Sequence, residues 1–399
     1  MKIILITNLY PPFVRGGAEI VAQTMAEGLR EHLQQVLVVS AQPFTGIRSL
    51  LPHEYYQHNI RVIRFYPVNF YFYTSDFRHS ILVRCFWHVL DIFNVHSACV
   101  LISILRREKP DTVVTHNLMG FGFLTPLVLR YMRIRHVHVV HDVQLSTPSG
   151  LILYGEEKHI SHRAARWFGY EAILRLLFKK TSIVVSPSRF LLDFYARKGF
   201  FRDAEKKVLQ NPFRFAASSE KLHETKRPLH FVFIGQLVPS KGVDRLVALI
   251  RGLSAEQCRL SVAGIGPLMR KMIEENKKAP HIRFLGWQKR EKLTEMLRSV
   301  DCLILPTLCY ENSPSVIYEA IAHSLPVVAS RIGGVPELVR EGETGWLFEP
   351  GNWDELRGIL VSLIESPERL TEAKNAVCHH AAELIARDYT RELLDAIST

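Results

Sequence analysis

The sequence lacks the short motifs that mark several classes of metal or cofactor protein. Its six cysteines form no CxxC pair, and most lie in apolar runs such as 301–306 (DCLILP), which predicts reduced cysteines in the core. The fingerprint GxGxxG does not occur, which argues against a dinucleotide-dependent dehydrogenase. The DxD pair that often holds a divalent cation beside a nucleotide is also missing. We therefore expect neither a metal ion nor a bound cofactor.

Long apolar runs are scarce as well. No stretch reaches the roughly 18 apolar residues of a membrane span, and the nearest, 92–105, is short and contains Asn94 and His96. At the N-terminus, Pro11 and Pro12 end the apolar run too early for the core of a signal peptide. The expected location is cytoplasmic, with peripheral contact to the inner face of the membrane as a further option.

Positive charge is in excess. The 399 residues carry a formal net charge of +11 at pH 7, and a basic surface attracts anions, so nucleic acid, anionic lipid and phosphorylated small molecules are all candidate partners. The chain is too long for one ordinary core, and its length predicts about two or three domains.

Two series of strands and helices are predicted, separated by the polar, proline-containing segment 211–228. Continuous apolar strands between helices indicate an α/β fold with two doubly wound parallel sheets, whose ligands bind at the carboxyl ends of the strands. The predicted strands are 2–7, 35–40, 61–66, 111–116, 136–141, 182–187, 230–235, 258–264, 281–286, 301–306 and 325–330, and the clearest helices are 17–31, 160–179, 242–253, 267–278, 289–299 and 352–366.

The aromatic segment 66–108 allows two interpretations. Apolar positions 82, 85, 86, 89, 92 and 93, with arginines between them, are compatible with a helix in a membrane interface. A helical hairpin on the sheet, with its arginines reaching water, explains the same pattern and is common in α/β proteins.

The densest group of polar residues lies in 308–330. Pro314 predicts a helix that begins there, with Ser313 as N-cap, so Glu311 lies in the loop after a strand and Glu319 lies within the helix. The backbone N–H groups of Ser315 and Val316 could then receive a diphosphate. Glu311 could reach sugar hydroxyls and Glu319 a ribose diol, although a surface loop acid and a helix-face acid would show the same spacing.

Three further groups follow predicted strands or, in the case of His141, end one. Lys241 could neutralise a phosphate, and the glycines at 16 and 17 could let backbone amides approach one, although each is also compatible with a plain turn. His141 could hydrogen-bond a sugar. A metal site is not expected at the histidines, because His136 and His138 point to one face of their strand and His141 to the other.

The run ENSPSVIYE (311–319) resembles the E-x7-E motif of the retaining GT-B glycosyltransferases of family 4. Other segments resemble elements of that family in the same order, over nearly the whole chain: PPFVRGGAE (11–19), HD (141–142), SPSRF (186–190), QNPF (210–213), SKGVD (240–244), AGIGP (263–267), FLGW (284–287), GGVPELV (333–339) and GETGWLF (342–348).

The resemblance implies a role for each matching residue. It places Lys241 at the diphosphate of a nucleotide sugar, Glu319 at the ribose, and Glu311 at the transferred sugar. His141 would lie near the sugar hydroxyls as the second catalytic residue. Gly17 and Gln236, with the amides of Ser315 and Val316 already predicted at the helix start, complete the predicted donor site, although members of the family often have arginine where this chain has Gln236.

The family also implies two Rossmann-like domains facing a cleft. We expect an acceptor domain over 1–212, a donor domain over 213–380 and a C-terminal helix over 381–399 that crosses back. The implied function is metal-independent, retaining transfer to a saccharide or lipid-linked saccharide in surface polysaccharide synthesis. The alternatives are a sugar-nucleotide epimerase of the same fold, or a non-catalytic basic protein that binds membrane or nucleic acid. Membrane contact through 66–108 is favoured over nucleic acid, because the arginines there are dispersed among apolar residues.

Overall fold

A computed structural model describes residues 1–156, 160–212 and 225–398, with the side chains of 76–78 and 160–168 outside that description. The contacts divide the chain into two compact units. The first unit comprises Met1–Gly150, His162–Pro212 and Asp388–Thr399, and the second comprises Leu151–Ser161 and Phe213–Arg387. Most of the polar segment predicted at 211–228 lies outside the described residues.

The first unit contains an eight-stranded sheet of order β3-β4-β2-β1-β5-β6-β7-β8, in which only β3 runs antiparallel to its neighbour. Its strands are β1 (Lys2–Thr7), β2 (Gln35–Ala41), β3 (His53–Gln57), β4 (Ile60–Phe65), β5 (Thr112–Thr115), β6 (Arg135–Val139), β7 (Ile183–Ser186) and β8 (Glu205–Val208). The helices are α1 (Gly17–Glu31), α2 (Ile81–Ile92), α3 (Val95–Glu108), α4 (Thr125–Tyr131), α5 (Ile160–Leu177) and α6 (Arg189–Arg197).

The second unit contains a six-stranded parallel sheet of order β11-β10-β9-β12-β13-β14. Its strands are β9 (Leu229–Ile234), β10 (Cys258–Ala263), β11 (Ile282–Gly286), β12 (Cys302–Leu305), β13 (Val327–Ser330) and β14 (Gly345–Phe348). The helices are α7 (Val243–Arg251), α8 (Met269–Glu275), α9 (Arg290–Leu297), α10 (Ser315–Ala322), α11 (Trp353–Glu365) and α12 (Glu368–Ala386), after which α13 (Tyr389–Ser398) belongs to the first unit.

Both faces of the second sheet are covered, as alternate side chains of β12 show. Cys302 and Ile304 pack in one apolar cluster with α7 and α11, whereas Leu303 and Leu305 pack in another with α10 and α12. Successive side chains of a strand point to opposite faces, so the continuous apolar run CLIL fills two cores at once. This is the doubly wound arrangement that the sequence predicted.

All eleven predicted strands and all six predicted helices are present, with ends that shift by a few residues. Three strands were not predicted, namely β3, β8 and β14. Strands β3 and β8 carry mostly polar residues and so give no apolar run. The C-terminal helix expected over 381–399 is instead the end of α12 followed by α13, and the helical path is interrupted at Arg387, whose backbone is extended.

The cysteines correct one expectation. All six lie in the described part of the chain and none is in a disulfide there, but only Cys258, Cys302 and Cys309 are buried. Cys85, Cys99 and Cys378 are exposed on helices. An apolar neighbourhood in sequence therefore did not predict burial for these three, because their helices present apolar residues to solvent as well as to the core.

Candidate active site

In the second unit, polar side chains collect where the strand order reverses. The central strand β9 pairs with β10 on one side and β12 on the other, so the loops after β9 and β12 diverge from this point. Crevices at such points are the usual ligand sites of open parallel sheets. Lys241 follows β9 and Glu311 follows β12, as the sequence predicted.

The two loops are joined through their main chains. The N–H of Leu308 donates to the carbonyl oxygen of Ser240 over 2.8 Å. Gly242 has a φ of +65°, and a Cβ atom at this position would overlap the carbonyl oxygen of Pro306. Glycine is therefore required for the loop of Lys241 to pack on the end of β12.

Lys241 and Glu311 form an ion pair between Nζ and Oε1, with both side chains about one-fifth exposed. Burial opposes the charge on Lys241, but Glu311 and Cys309 beside it hold the lysine pKa above its usual range. Thr307 Oγ1 donates to the same Oε1 atom over 3.4 Å. The site thus keeps a charged lysine beside a carboxylate although water is largely excluded.

The main chain of Glu311 is held by the next strand along the sheet. The N–H of Gly334, after β13, donates to the carbonyl oxygen of Glu311 over 2.7 Å. Gly333 has a φ of +62°, and a Cβ atom there would overlap that same oxygen. Gly333 was not among the predicted site residues, although two adjacent glycines soon after a strand were a signal for such a close approach.

Helix α10 begins beside Glu311. The N-cap is Pro314 rather than the predicted Ser313, whose hydroxyl lies 2.9 Å from that of Tyr318 instead. Ser315 and Val316 are the first helical residues, and Ser315 is exposed. Their N–H groups are therefore in the first turn, where a helix has no internal acceptors for them. An anion would be stabilised at this position.

Two predicted donor residues complete this group. Glu319 is partly buried within α10, and burial raises its pKa although Arg290 acts in the opposite direction. Gln236 is exposed in the loop between β9 and Lys241. All six predicted donor-side residues of the second unit therefore lie after β9 or β12 or in the helix that follows β12.

In the first unit the strand order reverses between β1 and β5. The loops after these strands are joined, since the N–H of Asn8 donates to the carbonyl oxygen of Asn117 over 2.8 Å. His116 directly follows β5 and is fully buried. His141 follows β6 by two residues, rather than ending the strand as predicted.

His116 and His141 form a stacked pair. Their rings lie 5.1 Å apart at an angle of 16°, and Nδ1 of His116 is 2.8 Å from Nε2 of His141. Burial lowers the pKa of His141 to about 4 and that of His116 well below its usual value, so both rings are neutral at pH 7. His116 was not predicted, although, like His141, it is a histidine at the end of an apolar strand.

The two histidines of β6 share a different polar partner from that of His141. His136 Nε2 and His138 Nδ1 each lie 2.7 Å from the hydroxyl of Thr115 and are buried against Phe178. Across the described ranges, no group of three or more His, Cys, Asp and Glu side chains could hold a metal ion.

Asp142 accepts hydrogen bonds beside His141. Its carboxylate accepts from the N–H of Gln144 over 2.8 Å and from Asn117 over 3.3 Å. Burial raises its pKa to about 6. His141, Asp142, Asn117 and Gln144 line one small cavity together with Tyr195, whose hydroxyl donates to the carbonyl oxygen of Asp142 over 2.7 Å.

Gly16 and Gly17 lie at the start of α1, as the helical pattern predicted. Gly16 is the N-cap and Gly17 the first helical residue, and both are exposed. The carboxylate of Glu19 accepts from the N–H of Gly16 over 2.8 Å. One of the amides expected to receive a phosphate therefore already has an acidic partner.

Two family models match the chain in succession. The model described as glycosyl transferase 4-like domain matches residues 16–212, and that described as glycosyl transferases group 1 matches residues 215–378. Their boundaries lie close to the division between the two compact units.

Relatives in two bacteria are similar to the chain over different shares of its length. The chain is 26% identical over 341 residues, 85% of its length and 88% of the other's, to a 42.6 kDa protein in the cps region of Klebsiella pneumoniae. It is 27% identical to the amylovoran biosynthesis glycosyltransferase AmsK of Erwinia amylovora, over 36% of this chain and 37% of that protein.

The fold matches that of solved GT-B enzymes. Sucrose-phosphate synthase from Thermosynechococcus elongatus superimposes with a TM-score of 0.75 at 15% identity, covering 100% of this chain and 98% of the other. Anabaena Alr3699/HepE, solved in complex with UDP, gives 0.71 at 18% identity with both chains fully covered. The chain belongs to the group 1 glycosyltransferases of GT-B fold.

Proposed function

We propose that this glycosyltransferase moves a sugar from a nucleoside diphosphate sugar to a saccharide or lipid-linked saccharide, with retention at the anomeric carbon and without a metal ion. The observation that carries the proposal is the ion pair of Lys241 and Glu311 beside the first turn of α10. One edge of the sheet thus carries a cation, a carboxylate and the N–H groups of a first helical turn.

The diphosphate of the donor would bind at Lys241 and α10. Lys241 supplies a positive charge, and the N–H groups of Ser315 and Val316 supply donors aligned with the helix dipole. Both stabilise the negative charge that grows on the departing diphosphate, which is the task that a metal ion performs elsewhere. HepE, which shares the fold, has been solved with UDP and with UDP-glucose, and this supports a nucleotide sugar as donor.

Glu311 and Glu319 would bind the two ends of the donor. When the diphosphate reaches Lys241, the lysine exchanges one anionic partner for another, and Glu311 becomes available to the hydroxyls of the transferred sugar. Glu319 would accept from the ribose hydroxyls. Gln236, exposed in the loop before Lys241, would add a neutral hydrogen bond to the phosphates.

His141 would contact the transferred sugar from the first unit, with the N–H groups near Gly17 beside the phosphate or the acceptor. A neutral imidazole can accept from a hydroxyl, and its depressed pKa keeps it neutral at pH 7. In the retaining reaction the anomeric C–O bond to the diphosphate breaks and the bond to the acceptor oxygen forms on the same face. The acceptor proton leaves with the nucleoside diphosphate.

The class of acceptor is suggested by the relatives. Two of them are named for the biosynthesis of colanic acid and of amylovoran, and a third lies in a cps region. We therefore propose that the acceptor is a growing saccharide, carried on a lipid at the cytoplasmic face of a membrane.

Thermal-shift titration tests the donor site directly. Wild-type protein is titrated with UDP, GDP, ADP, TDP and CMP, each with and without EDTA. We expect one nucleoside diphosphate to raise Tm, and the shift to be equal in EDTA. A shift that EDTA abolishes would contradict metal-independent binding, and the absence of any shift would contradict the donor site. Incubation of the matching nucleotide sugar with and without saccharide then separates transfer from epimerisation, because an epimerase needs no acceptor.

A further inference from the structure

The solvent-exposed side of α2 consists of apolar side chains. Leu82, Phe86, Val89 and Phe93 are each at least half exposed, and their spacing of three to four residues places them on one side of the helix. Val83 and Leu90 lie beside them and are about two-fifths exposed. We call these six residues the α2 apolar face.

The buried side of the same helix is more polar than the exposed side. Trp87 is 1% exposed and donates to the carbonyl oxygen of Tyr71, and the buried carboxyl of Asp91 accepts from the N–H of Gly120. A surface helix normally has the reverse arrangement, with polar side chains outward. The α2 apolar face is therefore not explained by packing within the first unit.

Neighbouring segments extend the apolar surface beyond the helix. The side chain of Asn94 donates to the carbonyl oxygen of Val68 over 3.0 Å, which brings 68–70 alongside the end of α2. Val68, Phe70 and Val95 are 46%, 62% and 63% exposed. Contiguous exposed apolar surface of this kind marks contact with a protein or a membrane.

Among the described side chains, this surface carries little negative charge. Among the described side chains from Val68 to Val95, Asp91 is the only carboxyl group, and burial raises its pKa to about 8. Residues 1–212 contain 26 Lys and Arg against 15 Asp and Glu, whereas residues 213–399 contain 24 of each. The whole net charge of +11 therefore belongs to the part of the chain that carries the α2 apolar face.

Helix α2 is too short to cross a bilayer and lies on the surface of the first unit. By length and composition alone, the stretch Ile81–Glu108 passes as a membrane span. It is, however, two helices separated at Phe93 and Asn94, and α2 with 12 residues is about 18 Å long, short of a hydrocarbon core of about 30 Å. The two helices also connect β4 and β5, strands of one sheet, so neither end can leave the first unit.

We infer that the α2 apolar face docks the protein on an anionic lipid bilayer, with the apolar side chains in the interface and the basic first unit facing the headgroups. A bilayer fits better than a second copy of the chain, because two copies would bring two strongly basic units together. The inference concerns binding alone and does not depend on the proposed transfer reaction.

Sedimentation with vesicles tests the docking surface. The full chain is mixed with vesicles of phosphatidylcholine, or of equal parts phosphatidylcholine and phosphatidylglycerol. We expect binding to the mixed vesicles, weaker binding to phosphatidylcholine, and a loss of at least about tenfold for Leu82→Glu with Phe86→Glu. The control pair Ile47→Glu with Leu176→Glu adds the same charge at exposed apolar residues of the first unit and should retain binding.

Native exposed cysteines provide a second readout that needs no change in the α2 apolar face. Cys85 lies on α2 next to it, and Cys378 lies on α12 in the second unit. A polarity-sensitive fluorophore on Cys85, with Cys99→Ser and Cys378→Ser, should report an apolar environment when mixed vesicles are added. The same fluorophore on Cys378, with Cys85→Ser and Cys99→Ser, should not respond.

Three results would overturn the inference. They are failure of the wild-type chain to bind mixed vesicles, equal loss of binding in the control pair, and a fluorophore on Cys85 that does not respond to vesicles. A wild-type dimer that the Leu82→Glu, Phe86→Glu variant dissociates would instead assign the surface to a second copy. Because none of these measurements uses a sugar donor, their failure is distinct from failure of the proposed function.

Discussion

The two units place different chemistry at equivalent positions. In each, the residues of interest follow parallel strands at the point where the strand order reverses. The second unit presents a charged pair there, Lys241 with Glu311, whereas the first presents the neutral pair His116 with His141. Charge suits a site for a diphosphate, and neutral rings suit a site for sugar hydroxyls. The two sheets differ in size and strand order, yet both place their polar loop residues at the strand-order reversal, so the loop residues decide the chemistry there.

The largest effect is expected from Glu311→Gln, which removes the charge and keeps the shape. We expect transfer to slow by about 10²–10³-fold, the usual result of deleting one group that stabilises a transition state. Steady-state kinetics with the nucleotide sugar measures the loss, and UDP titration measures donor binding. An unchanged rate of transfer would show that Glu311 has no role in the reaction, and the contrast between a charged and a neutral site would then not explain catalysis.

Gly333→Ala tests whether the backbone of Glu311 must be held by the loop after β13. The new Cβ atom would overlap the carbonyl oxygen of Glu311 at a φ of +62°, and we expect a loss of about 2–4 kcal/mol in the free energy of unfolding. Gly342→Ala is the matched control, since its φ is +73° and nothing lies within 4 Å; it should lose about 1 kcal/mol. If urea unfolding gives equal losses of free energy for the two variants, the positive φ accounts for the effect and the overlap with the Glu311 carbonyl oxygen does not.

Lys241→Met should weaken binding of the nucleoside diphosphate by about 10–100-fold, because a charge-assisted hydrogen bond is worth about 1.5–3 kcal/mol. Calorimetric titration gives the affinity. Lys271→Met, which removes an exposed lysine of the same unit, serves as control and should bind normally. Equal weakening in both variants would mean that Lys241 contributes only to the overall positive charge of the unit and does not contact the diphosphate.

The smallest effect concerns pH and the neutral histidines of the first unit. Burial lowers the pKa of His136 to about 3, so between about pH 6.5 and pH 3 this residue is protonated only in the unfolded chain. The unfolded chain then binds more protons, and this histidine reduces stability as the pH falls through that window.

His136→Gln should remove this contribution. We expect the pH dependence of the unfolding free energy between pH 6 and pH 5 to become shallower by about 1.4 kcal/mol per pH unit. Urea unfolding at both pH values measures it, and Gln can still hydrogen-bond Thr115. The partly exposed His323→Gln is the control, and an identical slope in His136→Gln and wild type would contradict a buried neutral ring.

The sequence by itself determined the order and type of the regular elements. Short apolar runs and helix-period segments are both local signals. The helical period located α1 at 17–31 without error. The positions of Lys241, Glu311 and His141 at the sheet edges were also predicted from sequence, because a residue that follows an apolar strand lies at one edge of a parallel sheet.

Only the tertiary structure decided which of these residues meet. Lys241 and Glu311 are 70 positions apart, and their contact depends on β9 and β12 being neighbours, which no local pattern encodes. The partner of His141 and the close approach of Gly333 to Glu311 have the same cause. For α2 the reason differs: a helix that is apolar nearly all round does not indicate which side the sheet will cover, so its exposed face became visible only when the core was assembled.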